Sequence, residues 1–138
     1  MVQDPNLWSP ATPDLYTLTV QLYDGGKLID SEQQRIGIRT FGFDEDNQFV
    51  LNGERLYLRG TNRHQDYPYI GYALSDEAQY RDAYKIKEAG FQFHTYCTLS
   101  ARILHFLKAA DELGLLFMDA IPGWQYYEDG FFARTCPE

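Results

Sequence analysis

The sequence has little cysteine, few basic residues and no long apolar run. Its two cysteines, Cys97 and Cys136, lie far apart with no Cys-x-x-Cys or Cys/His spacing, which predicts unpaired thiols rather than a zinc site or a disulfide framework. Twelve basic residues stand against twenty acidic ones, and the net charge of -8 argues against binding to nucleic-acid phosphates. No segment approaches the ~20 apolar residues of a membrane span. We therefore expect neither a nucleic acid nor a membrane as a partner.

Aromatic residues, by contrast, are abundant, at 16% of the chain, and eleven of them are tyrosines. Aromatic faces serve as stacking platforms for the C–H surfaces of sugars, and they fill the cores of β-sandwiches equally well. Composition alone leaves both interpretations open.

The first part of the chain predicts antiparallel β structure. Polar and apolar residues alternate over residues 14–30 around Asp24-Gly25-Gly26, a sequence typical of a hairpin turn. Further strands are predicted over 31–40, 49–51 and 55–59, the last two separated by the tight turn Asn52-Gly53.

After Pro68 the apolar period changes from two to about three and a half, which predicts helices. Ser75 can cap a first helix that ends near Gly90, and a second begins near Ser100 and ends at Gly114. The predicted apolar faces are Tyr80, Ala83, Tyr84 and Ile86 on the first helix, and Ile103, Leu107, Ala110 and Leu113 on the second. The apolar run 115–118 predicts a parallel strand covered on both faces.

From Leu56 onward the predicted order is therefore strand, helix, strand, helix, strand. In (β/α)8 barrels the chemistry lies at the carboxyl ends of the strands. Two polar clusters occupy such places: Asn62, Arg63, His64 and Asp66 after the first strand, and Asp119 with Trp124 after the third.

Four stretches of the chain carry motifs in a characteristic order and spacing. The first is Leu-Trp-Ser-Pro at 7–10 together with residues 13–18, and the second is Ile-Gly-Ile-Arg-Thr at 36–40 together with residues 49–54. The third is Leu-Arg-Gly-Thr-Asn-Arg-His-Gln-Asp-Tyr-Pro at 58–68. The fourth consists of residues 86–91 and 111–116. Together they resemble glycoside hydrolase family 2, the β-galactosidase and β-glucuronidase family.

The resemblance implies the fold class: a partial immunoglobulin-like β-sandwich followed by α/β structure. Residues 1–42 would be the carboxyl-terminal part of the sandwich. Residues 43–138 would be the first three strands and two helices of a (β/α)8 barrel, since a complete barrel needs ~250 residues.

The resemblance also implies contacts between the first polar cluster and a sugar. His64 stands where the family's Asn-Arg-His motif has a histidine close to the reaction centre, although a structural polar network would also account for Asn62 and His64. Arg63 is equally consistent with pairing to a barrel carboxylate. Asp66 can accept hydrogen bonds from sugar hydroxyls or simply form a turn before Pro68.

The second cluster departs from the family pattern. Asp119 matches the aspartate of an Asp-Glu pair, but Ala120 replaces the glutamate. Trp124 resembles a tryptophan that lines the pocket, and ordinary packing is its alternative. Because the metal-binding Ile-Glu-Thr-His pattern of some β-galactosidases does not occur in the chain, we expect no metal, and we expect no cofactor.

The family chemistry is retaining hydrolysis, in which two carboxylates stand ~5 to 5.5 Å apart across the glycosidic bond. Both come from later barrel strands, and the Asn-Glu dipeptide that would carry the acid/base does not occur in the sequence. The resemblance therefore implies a glycosidase fragment that is inactive alone. The alternatives are a carbohydrate-binding or subunit-complementing module, acting with another barrel fragment or as a homo-oligomer, and an unrelated structural domain of strands and helices.

One window breaks the resemblance while both of its flanks match. Between Phe91 and Asp111 the family has Asn-x-x-Arg, two small residues and His-Tyr-Pro, and the arginine, histidine and proline of this pattern are missing here. Suitable codons for 94–102, read one base later, encode Ile-Arg-Thr-Val-His-Tyr-Pro-Arg. Compensating frameshifts over 94–105, and another over 128–138, are therefore a hypothesis that genomic reads with an unshifted frame would refute.

Overall fold

The computed structural model describes residues 2–64, 66–96 and 103–118. Within these ranges the chain forms three β-sheets and two α-helices. The elements are β1 (Tyr16–Asp24), β2 (Lys27–Ile36), β3 (Phe41–Phe43), β4 (Phe49–Leu51), β5 (Glu54–Arg55), β6 (Gly60–Arg63), α1 (Asp76–Glu88), β7 (Phe93–Tyr96), α2 (Ile103–Leu113) and β8 (Leu116–Met118).

The first sheet is the antiparallel hairpin β1-β2, as predicted. Gly25 and Gly26 form its turn with φ angles of 54° and 83°, a region that glycine enters without steric cost. The second strand was expected over 31–40, but it begins at Lys27 and ends at Ile36, opposite Tyr16, where β1 begins. Beyond that point the backbone turns to another partner, since the Ile38 carbonyl accepts a hydrogen bond from the Trp8 N–H at 2.8 Å.

The second sheet has the antiparallel order β3-β4-β5. Asn52 and Gly53 form the predicted tight turn, both with positive φ. The strand predicted over 55–59 is wrong after Arg55. The Leu56 N–H closes the β4-β5 hairpin on the Phe49 carbonyl at 2.9 Å. The next contact with a strand is at Arg59, whose carbonyl accepts hydrogen bonds from the Gln92 N–H at 2.9 Å and the Phe93 N–H at 3.2 Å.

The third sheet is parallel, in the order β6-β7-β8, with α1 and α2 as the crossovers. The predicted order of strand, helix, strand, helix, strand is confirmed, although its first strand is Gly60–Arg63. The Ser75 hydroxyl accepts from the Ala78 N–H at 3.3 Å, which confirms the expected cap. Gly90, with φ 85°, follows the end of α1.

A small apolar core lies where the two helices pack on each other and on the parallel sheet. Tyr80 and Tyr84, expected on the buried face of α1, are 42% and 50% exposed. The predicted Ala83 and Ile86 do face the core, and Gln79 is buried beside them, so only the two large rings of the predicted face point outward. On α2 the expected Leu107, Ala110 and Leu113 do face the core, while Ile103 lies at the edge of the described residues. The core consists of Ala83, Phe106, Ala109, Ala110 and Leu115, so Phe106 and Ala109 were missed by the periodicity.

The amino-terminal segment is fastened to the ends of both helices. The Lys87 ammonium donates to the Pro10 carbonyl at 2.6 Å and to the Gly114 carbonyl at 3.1 Å, and partial removal from water lowers the pKa of Lys87. Gly114 has φ 73°, and a Cβ there would lie 2.6 Å from the Pro10 carbonyl oxygen. Both the conformation and the close approach therefore require glycine.

Neither described helix is long and apolar enough to cross a membrane. Cys97 and Cys136, the two thiols considered above, lie outside the described residues.

Candidate functional site

The carboxyl ends of the three parallel strands present one row of side chains on a common face. Asn62 of β6 stands opposite Thr95 of β7, and Thr95 stands opposite Met118 of β8. The Thr95 hydroxyl donates a hydrogen bond to the Asn62 side-chain oxygen. Asn62 and Met118 are exposed on this face. The row therefore offers an amide, a hydroxyl and an apolar contact at the level where barrel enzymes hold their substrates.

Arg63 does not belong to this row, because successive side chains of a strand point to opposite faces. Its guanidinium is 8% exposed and binds the Asp82 carboxylate of α1, with Nη2 at 2.6 Å and Nε at 3.2 Å. It also lies 4.9 Å from the centre of the Phe106 ring of α2. Arg63 thus joins strand and helices on the helix side of the sheet, which is the carboxylate pairing left open by the sequence.

His64 and Asp66 follow β6 and are both exposed. Asp66 lies beside the turn at Gly71, where its Oδ1 is 3.9 Å from the position that a Cβ would occupy. An imidazole and a carboxylate at this place can each hydrogen bond to hydroxyl groups of a ligand. The structure brings Asn62, His64 and Asp66 to the carboxyl end of the sheet. It places the Arg63 side chain on the face that the two helices cover.

The second cluster cannot be located in the same way. Asp119 follows Met118, the last residue of β8, in sequence, and Asp119, Ala120 and Trp124 all lie outside the described residues.

The sequence did not indicate two residues that hold these side chains in place, Thr95 and Asp82. Thr95, the partner of Asn62, lies in the window where the family motif is lost, so no motif marked it. Asp82, the partner of Arg63, lies on a helix face with no sequence signal that relates it to β6. The alternation of side chains along β6 could have separated the two neighbours. If Asn62 and Arg63 belong to one strand, their side chains must point to opposite faces of the sheet.

Two grooves lie elsewhere on the described part of the chain. Among the described residues, no group of three or more His, Cys, Asp or Glu side chains is placed to hold a metal ion. A groove of about 380 Å³ lies under the amino-terminal segment beside Leu51 and Arg55. Another, of about 640 Å³, separates β2 from α2 and is lined by Arg35 and Lys108 among others. Both lie away from the strand ends, where Asn62, His64, Asp66 and Met118 are exposed.

Comparison with known families accounts for nearly the whole chain. Residues 1–39 match the family model described as glycosyl hydrolases family 2. Residues 44–127 match the model described as glycosyl hydrolases family 2, TIM barrel domain.

Individual relatives are similar over most of this chain and over little of their own length. A β-galactosidase of Thermoanaerobacter pseudethanolicus is 40% identical over 129 residues, which are 93% of this chain and 17% of that protein. A putative β-glucuronidase of Formosa agariphila is 40% identical, over 88% of this chain and 15% of that protein. The chain therefore spans about a sixth of the length of the relatives that it matches.

Solved structures agree with this picture. The apo structure of Bacteroides uniformis β-glucuronidase 3 superposes with a TM-score of 0.76 and 41% identity, over 88% of this chain and 15% of that one. A glycosyl hydrolase family 2 member from Bacteroides cellulosilyticus superposes with a TM-score of 0.80 and 34% identity, over 96% of this chain and 17% of that one.

Proposed function

Since the chain belongs to glycosyl hydrolase family 2, we propose that it supplies the first part of a β-glycosidase active site. In this proposal residues 1–42 are the end of an immunoglobulin-like sandwich. Residues 43–138 are the start of the catalytic (β/α)8 barrel, with β6, β7 and β8 as its first three strands. The parallel order β6-β7-β8 with two crossover helices supports the barrel assignment.

The row formed by Asn62, Thr95 and Met118 carries the proposal. It lies on the face of the sheet away from Arg63, whose partners belong to the helices, and this face becomes the interior when such a sheet closes into a barrel. We assign sugar contacts to Asn62, His64 and Asp66. Arg63 is a positioning residue that holds the end of β6 against α1 and α2.

We add Asp119 and Trp124 to the proposed substrate-binding residues because both match family 2 motifs in sequence. Asp119 would accept hydrogen bonds from sugar hydroxyls, and Trp124 would offer a ring face.

We propose further that the chain alone binds β-glycosides without cleaving them. Retaining hydrolysis needs a carboxylic acid to protonate the leaving oxygen and a carboxylate to attack the anomeric carbon. The family takes both from later strands. The side chains at the described strand ends can orient a sugar by hydrogen bonding, and orientation alone replaces neither group.

A second function, as a carbohydrate-binding or complementing module, is favoured by one observation. Met118, 55% exposed, lies on the open face of the sheet in line with Asn62. An apolar side chain at this place would be covered if further strands, from another fragment, completed the sheet.

Saturation-transfer NMR with methyl β-galactoside and methyl β-glucuronide tests the binding proposal. We expect the sugar protons of at least one glycoside to receive saturation from the chain. The double variant Asn62→Ala/His64→Ala should abolish the effect, because it removes an amide and an imidazole that face the ligand.

A matched control is Asn6→Ala/Gln33→Ala, which removes two exposed polar side chains from the amino-terminal segment and from β2. It should bind like the parent chain. Equal saturation in the Asn62/His64 variant and the parent would refute the assignment of the site.

A further inference from the structure

The loop between β6 and α1 is a closed turn fastened to the following helix. The Tyr67 N–H donates to the Gly71 carbonyl at 3.1 Å, and the Gly71 N–H donates back to the Tyr67 carbonyl at 2.9 Å. The Tyr67 hydroxyl accepts a hydrogen bond from Arg81 of α1 at 2.7 Å. Residues 67–72, called here the tyrosine loop, are therefore closed on themselves and tied to α1 by hydrogen bonds.

This ordered loop leaves its largest apolar side chains in solvent. Tyr69 is fully exposed, at 106%, and Ile70 and Tyr72 are 49% and 55% exposed. Tyr69 also has φ 71°, a left-handed conformation that is unfavourable for a tyrosine. A tyrosine at position 69 is therefore favoured neither by burial of its ring nor by the backbone conformation there. Strained residues that neighbouring structure holds in place concentrate at ligand-binding sites.

The tyrosine loop continues directly from the proposed sugar contacts. It follows His64 and Asp66 in sequence, and the Asp66 carboxylate lies beside Gly71 within the loop. We propose that Tyr69 and Tyr72 form a stacking platform for the leaving-group sugar of a β-glycoside, and thereby select which glycosides the intact enzyme accepts. This inference rests on the function proposed above, and it adds a subsite beyond the sugar that is hydrolysed.

The chemistry of the loop matches a saccharide better than other ligands. A pyranose presents one face of C–H groups, which packs on an aromatic ring, and an edge of hydroxyls, which needs acceptors such as Asp66. Phosphate-bearing ligands are disfavoured by the net charge of -8. Because the loop is already ordered, binding would cost little conformational entropy.

Ring-resolved saturation-transfer NMR tests this subsite on the 138-residue chain. The probes are lactose and a β-glucuronosyl disaccharide, in which the protons of the leaving-group ring are observed separately from those of the other ring. We expect both rings of at least one probe to be saturated. In Tyr69→Leu/Tyr72→Leu, saturation of the leaving-group ring should fall about fivefold, because leucine keeps apolar bulk but offers no ring face.

The control Tyr57→Leu changes another highly exposed tyrosine, placed before β6 rather than after it. It should leave both rings unchanged. Saturation of the first ring alone, or no response to the Tyr69/Tyr72 change, would overturn the stacking platform while leaving the proposed function intact. Saturation of neither ring of either probe would overturn both. A dimer that dissociates only in the Tyr69/Tyr72 variant, seen by sedimentation, would make the loop a protein contact and also refute the subsite.

Discussion

Replacing Asp82 with alanine is expected to destabilise the packing of α1 and α2 on the parallel sheet by about 3 to 5 kcal/mol. The substitution leaves the Arg63 guanidinium, 8% exposed, without the carboxylate that binds it at 2.6 Å. Arg63 keeps its other contacts, including the Phe106 ring, but a buried charge that loses its carboxylate loses the main compensation for its desolvation. Hydrogen exchange measured by mass spectrometry should show lost protection in peptides from both helices.

Two further variants separate this effect from a general loss of charge. Asp46→Ala breaks the ion pair with Arg55, which is exposed, so protection should remain as in the parent. Removing both charges, in Arg63→Met/Asp82→Leu, should recover much of the lost protection, because the buried charge is removed together with its counterion. Normal protection of α1 and α2 in Asp82→Ala would contradict the structural role given to the pair.

Replacing Trp8 with alanine should loosen the junction between the amino-terminal segment and the helices by about 3 to 5 kcal/mol. The ring is fully buried, and its indole N–H donates to the Asp111 carbonyl of α2 at 2.8 Å. The Arg39 guanidinium lies 4.4 Å from the ring centre on its other side. Loss of the ring leaves a cavity and an unsatisfied carbonyl, so exchange should accelerate in β2 and at the end of α2.

A more conservative change tests the hydrogen bond separately. Trp8→Phe keeps most of the packing but removes the indole N–H, and it should cost about 1 to 2 kcal/mol. The control Tyr57→Ala removes a ring that is 80% exposed and should alter exchange little. If Trp8→Ala and Tyr57→Ala gave the same exchange pattern, the junction would not depend on Trp8.

Features that depend on neighbouring residues were predictable from the sequence. The turn at Gly25-Gly26 and the cap at Ser75 use side-chain and backbone chemistry within a few residues. Likewise, the alternation of strands and helices after Leu56 follows from the change of apolar period.

Features that depend on distant partners were not predictable in the same way. Arg63 was grouped with Asn62 and His64 because the three are adjacent in sequence, yet its partner Asp82 lies 19 residues further on, on the helix side. The hydrogen bond from Trp8 to Asp111 joins residues 103 positions apart. The apolar period predicts which residues of one element share a face. It does not predict which side chain from a distant element packs against that face.

The helix faces illustrate the same limit. In α1 the predicted Ala83 and Ile86 do face the core, but the predicted Tyr80 and Tyr84 are exposed and Gln79 is buried. A small residue such as Ala83 allows α2 to approach closely, and the fully buried Phe106 of α2 then fills the contact. The apolar period therefore identified part of this face, and the packing of α2 against α1 decided the rest.

We propose that this chain carries sugar-binding parts of a β-glycosidase and that the carboxylates that break the bond come from later barrel strands. The most direct test is release of p-nitrophenol from its β-galactoside and β-glucuronide by the purified chain, with and without the later barrel segment of the Thermoanaerobacter relative. We predict no release above the uncatalysed rate from the chain alone, and release when the two parts assemble. Release by the chain alone, in proportion to its concentration and lost in His64→Ala, would contradict the account.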